Sequence, residues 1–143
     1  MLKRLTIENF ENIVESEKNL FIIKFFSETC APCKAMTPVF EVLDEKNPDI
    51  NVYEVDTMES PELAAQFGVR GVPYIAYCEK REVLYEFTGA TPLGSLQYVI
   101  DNIDEPYFRE TGEFKQPEQE KSYTFPIIIG AIVVLILLAI VFK

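Results

Sequence analysis

The stretch that most constrains this chain is Leu20-Phe21-Ile22-Ile23-Lys24-Phe25-Phe26, an apolar run broken only by Lys24. A strand with one solvated face alternates apolar and polar residues. This run does not, so it reads as a strand buried on both faces, which suits a sheet covered by helices on either side. The expectation is an α/β domain.

The flanking sequence supplies the other layers. Leu2 to Ile7 reads as a short edge strand, and Phe10, Ile13 and Val14 have helical spacing within Glu8 to Glu17. After a turn at Ser27-Glu28-Thr29, a helix opens at Cys30-Ala31-Pro32-Cys33 and runs to about Lys46. Pro32 suits its first turn, where the missing N–H costs nothing, whereas Pro38 falls inside it and should kink it. Ile50 to Val55 reads as a strand, and Ser60-Pro61-Glu62 opens a helix that stops at Gly68. Tyr74 to Cys78 and Glu82 to Phe87 read as an antiparallel hairpin. Pro92 starts a last amphipathic helix with Leu93, Leu96, Val99, Ile100 and Ile103 on one face. The expected order is β-α-β-α-β-α-β-β-α over residues 1–105.

Two segments stand apart. Residues 106–122 are polar, carry Pro106, Gly112 and Pro117, and read as a linker. Tyr123 to Phe142 is apolar throughout. About 20 helical residues span about 30 Å, so 123–142 reads as one transmembrane helix in contact with the lipid bilayer. The start of the chain has Lys3 and Arg4 but no apolar run behind them, so no signal peptide is expected. A span that emerges only as synthesis ends leaves the domain on the side of synthesis. Arg109, Lys115 and Lys121 precede the span and only Lys143 follows it, which agrees. The expectation is a single-pass, tail-anchored protein with its domain facing the cytoplasm.

Composition removes several chemistries. The formal net charge is −10 with no basic cluster, which argues against nucleic-acid binding. There is no histidine, so Ser–His and Cys–His catalysis and histidine zinc sites are excluded. Three cysteines are too few for a disulfide-stapled scaffold.

Two of the three are spaced C-x-x-C at a helix start. Cys30 sits where free N–H groups and the helix dipole favour an anion, which lowers its pKa and makes it the attacking thiolate. Cys33 lies one turn in, more shielded, and is placed to resolve a mixed disulfide. The competing readings are an inert pair or half of a zinc site. Tetrahedral zinc needs two further ligands and only Cys78 remains, so no metal is expected. Cys78 itself reads as a small core residue.

The segment Phe25-Phe26-Ser27-Glu28-Thr29-Cys30-Ala31-Pro32-Cys33-Lys34 resembles the active-site segment of the thioredoxin family. Pro38, Val69-Arg70-Gly71-Val72-Pro73, Gly89 and the helix from Pro92 match the family pattern in order, without gaps from Phe21 to about Ile103. The resemblance implies a thioredoxin-like fold: a central mixed sheet with helices on both faces, here with one C-terminal transmembrane helix added. It implies that Pro73 lies beside Cys30 after a cis peptide bond, where the Val72 backbone can pair with a substrate strand. Thr29, Ala31 and Pro32 would flank the same groove. It implies a protein-disulfide oxidoreductase with no cofactor, acting on protein disulfides near the membrane. Its electrons would come from a thioredoxin-reductase-type or membrane donor.

Four positions depart from the family. Thr29 stands where thioredoxins usually carry tryptophan, and Ala31 where they usually carry glycine. Lys24 and Glu54 occupy the positions of a buried aspartate and its lysine partner, so that pair reads as charge-reversed. The expectation is that Lys24 and Glu54 face each other beneath the dithiol and tune Cys33. Thr29 and the anchor also fit an alternative: a non-catalytic accessory subunit of a membrane complex such as a transporter.

Overall fold

The computed structural model describes residues 2–115. Along the chain lie β1 (Lys3–Arg4), α1 (Phe10–Ser16), β2 (Leu20–Phe26), α2 (Ala31–Ala35), α3 (Thr37–Lys46), β3 (Asn51–Asp56), α4 (Pro61–Gln66), β4 (Tyr74–Glu79), β5 (Glu82–Thr88), α5 (Leu93–Asn102) and α6 (Pro106–Thr111). The strands form one mixed sheet in the order β1-β3-β2-β4-β5. β3 runs parallel to both β1 and β2, and β4 is antiparallel to β2 and β5.

β2 is central, and Phe21 through Phe25 are all buried. Successive side chains point to opposite faces. Phe21, Ile23 and Phe25 join Val14, Leu63 and Tyr74 on one side of the sheet. Ile22 joins Phe40, Leu43, Leu96 and Phe108 on the other. Each fully buried Phe or Ile contributes about 1.5–3 kcal/mol, so these two clusters hold the helices to the sheet. The β4–β5 turn passes through Lys80, which takes a left-handed φ of 55°.

The structure differs from the sequence expectation in two places. The helix expected from Cys30 to Lys46 is broken in two at Met36 rather than bent. Pro38 has no N–H to give to the carbonyl of Lys34, so the first helix cannot continue through it. The linker reading of 106–122 is corrected for its first part. Residues 106–111 form α6, with Pro106 at its first turn and Gly112 ending it at φ 71°. Phe108 is buried, Phe114 stacks on it at 4.5 Å, and Arg109 bonds Glu79 at 2.6 Å. The folded unit therefore continues past residue 105. One buried side chain in α6 makes no apolar period, which is why the segment resembled a linker. Among the described residues no helix is long and apolar enough to cross a membrane. The proposed span 123–142 lies outside the described residues, as do 116–122.

Candidate redox site

Three elements converge at the carboxyl end of β2. The backbone turns at Ser27, where the Cys30 N–H donates to the Ser27 carbonyl at 3.1 Å. Cys30 then caps α2 from an extended conformation, φ −82° and ψ 104°. Cys30 and Cys33 are joined in a disulfide, with Cα atoms 5.2 Å apart. The exposures of the two differ: Cys30 is half-buried and Cys33 buried. The Cys33 N–H points at Cys30 Sγ from 3.2 Å. Such a donor favours the anionic form of the reduced sulfur.

The loop before β4 closes the site. The Val72–Pro73 bond is cis, and the Val72 carbonyl oxygen lies 3.7 Å from Cys30 Sγ. Pro73 is buried, and its carbonyl accepts the Gly89 N–H at 2.8 Å. Gly89 has φ 93°, a conformation that only glycine adopts without strain. Thr29, Ala31 and Pro32 are exposed around Cys30, and Thr29 Oγ1 lies 3.0 Å from Ser27 Oγ. Small exposed residues thus surround the outer sulfur.

Behind Cys33 opens a cleft of about 510 Å³ that Lys24 and Glu54 both line. Lys24 and Glu54 are register partners on β2 and β3. They do not form the face-to-face pair that the sequence suggested. No carboxylate stands within 4.0 Å of the Lys24 ammonium among the described residues, and Glu54 instead meets Arg4 at 3.7 Å. Lys24 is buried, with Nζ 5.4 Å from the Phe26 ring centre and 5.2 Å from that of Phe40. Burial pulls its pKa below the usual lysine value, opposed by the charges of Glu54 and Glu41. The physical reason for the correction is Arg4, which is Glu54's register partner on β1. Sequence reading missed Arg4 because only strand order reveals it as a neighbour.

Cys78 lies in the core, away from the disulfide, and burial pushes its thiol up to about 12. No cluster of metal-ligating side chains occurs among the described residues.

The chain is similar to known proteins in sequence and in fold. The Thioredoxin family model matches residues 1–102. The chain belongs to the thioredoxin family. It is 38% identical over 96 residues to putative thioredoxin 2 of Streptomyces coelicolor, covering 67% of this chain and 71% of that one. It is 37% identical over 84 residues to a thioredoxin of Chlamydia trachomatis, covering 58% and 80%. Oxidized mitochondrial thioredoxin 3 of Saccharomyces cerevisiae superposes with a TM-score of 0.64 at 26% identity, covering 70% of this chain and 94% of that one. Membership makes this thioredoxin domain a thiol–disulfide oxidoreductase. α6 begins beyond the residues that the family model matches.

Proposed function

We propose that the chain is a membrane-tethered oxidoreductase that reduces protein disulfides, with its domain facing the cytoplasm. The observation that carries the redox reading is the asymmetry of the disulfide: Cys30 half-open to solvent, Cys33 buried behind it. In the reduced enzyme the Cys30 thiolate attacks a substrate disulfide, and one substrate sulfur leaves and takes a proton. The Cys33 thiolate then attacks Cys30 Sγ and expels the second substrate sulfur, which takes the other proton. Two electrons pass from the enzyme dithiol to the substrate disulfide, and a thioredoxin-reductase-type or membrane donor restores the dithiol. Thr29, Ala31, Pro32, Val72 and Pro73 form the surface on which the substrate lies.

The apolar segment 123–142 supports the tether, and the excess of Arg109, Lys115 and Lys121 on the domain side over Lys143 supports the cytoplasmic side. A compartment that keeps thiols reduced suits a reductase. The full chain, purified in detergent, should reduce insulin with a dithiol donor, and Cys30→Ser should abolish turnover. Membrane fractions should retain the chain after alkaline extraction. Absence of turnover from the intact dithiol would favour the accessory-subunit reading instead.

A further inference from the structure

Three charged residues form a row across three adjacent strands. Arg4 on β1 is in register with Glu54 on β3, which is in register with Lys24 on β2. Because β3 lies between β1 and β2, the carboxylate has a cation on each side. All three side chains line the cleft that Cys33 also lines, with Glu28 and Lys34 exposed at its rim.

The carboxylate has gone to one side. Arg4 is fixed by Glu59, which accepts from its Nε at 3.1 Å and its Nη2 at 2.9 Å, and by Asp56 at 3.6 Å. From there it holds Glu54 at 3.7 Å. Its guanidinium also stands 5.1 Å from the centre of the same Phe26 ring that Lys24 touches. A guanidinium with several donors in a planar fork can serve more than one carboxylate, which an ammonium does less well. Lys24 is left with two aromatic rings and no anion within 4.0 Å among the described residues. The more distant Glu41 also acts on it.

We infer that Arg4 is a positioning residue for the dithiol: by holding Glu54 on the β1 side, it leaves the charge of Lys24 free to act on Cys33. A cation in the cleft stabilises the Cys33 thiolate and so favours the reduced form. In the exchange reaction this thiolate displaces the substrate from Cys30, so its stability sets both the resolving step and the redox poise. With Arg4 removed, Glu54 needs only a side-chain rotation to meet Lys24 and cancel that charge. The inference deepens the proposed function, because it assigns a control to the same site. It fails separately, since equilibrium with glutathione requires only the disulfide and not a protein substrate.

The test is redox titration of the full chain against glutathione, in four forms: unaltered, Arg4→Met, Glu54→Gln and both together. Arg4→Met should make the dithiol more reducing by about tenfold in the equilibrium constant, or about 30 mV for a two-electron couple. In the Glu54→Gln background the same substitution should change the constant by less than about twofold. Arg4→Gln, which keeps a donor for Glu59, should repeat the pattern if Arg4→Met disturbs β1. Denaturation midpoints of every form identify a purely structural role, which would lower stability in both backgrounds without a background-dependent potential. Equal shifts with and without Glu54 would show that Arg4 acts as a bare charge, and no shift in either would show that Glu54 is not held. Either result overturns the inference.

Discussion

Lys24→Met isolates the cost of placing a cation inside this sheet. The side chain is 2% exposed, and no carboxylate approaches within 4.0 Å among the described residues. An ion removed from water in a protein loses several kcal/mol even after relaxation. The two ring contacts return about 0.5–2 kcal/mol each. Methionine keeps the stem's volume without the charge. The substitution should therefore stabilise the domain by about 1–3 kcal/mol near neutral pH. The pH dependence gives a second reading. Because the folded-state pKa of Lys24 is lowered, the unfolded chain binds more protons between that value and the ordinary lysine value of 10.5. Stability of the unaltered chain should then rise with pH across that window. The cost of the buried charge is fully present below the window and relieved above it. Urea denaturation at about pH 7 and about pH 10 should show the rise in the unaltered chain and a smaller one in Lys24→Met. A loss of stability at neutral pH, with an unchanged pH slope, would refute the view that the burial of Lys24 outweighs the attraction of Glu54 and Glu41.

Cys33→Ser should accumulate mixed disulfides between Cys30 and substrate proteins, visible on non-reducing gels. Normal turnover of that variant would reverse the assigned roles. Phe108→Ala should cost about 3 kcal/mol in urea denaturation, the low end for a buried phenylalanine, because Phe114 can partly refill the space. A cost under about 1 kcal/mol would make α6 peripheral to the fold. In the reduced native chain at about pH 8, an alkylating reagent should modify Cys30 readily and leave Cys78 untouched until denaturant is added, because the Cys78 thiol is held near 12. Fast labelling of Cys78 would mean that its cover opens.

Much of the fold was legible because the signals were local. The apolar run of β2, broken only by Lys24, gave its burial on both faces, and Ser60-Pro61 and Gly68 bracketed α4. The placement of Cys30 and Cys33 followed from the C-x-x-C spacing, and that of Pro73 from the resemblance to thioredoxins. What stayed hidden depends on strand order. Arg4 and Glu54 are fifty residues apart in sequence, and only the placement of β3 between β1 and β2 makes them neighbours. The sequence put Lys24 and Glu54 forward as partners, but it had no way to show a third charge competing for the carboxylate. α6 was hidden for a different reason. A single aromatic, Phe108, anchors it, and a single anchor leaves no periodic trace.

The bond between Arg109 and Glu79 ties α6 to one end of the sheet. Glu79 pairs with Leu20 at the start of β2, whereas the disulfide follows Phe26 at its end. Seven residues of strand separate the two by about 20 Å. α6 therefore closes the pole remote from the sulfurs, and Phe114 seats the outgoing chain on Tyr85 and Tyr98 toward that same pole. Under the proposed tether, the chain would leave the domain on the side away from the sulfurs.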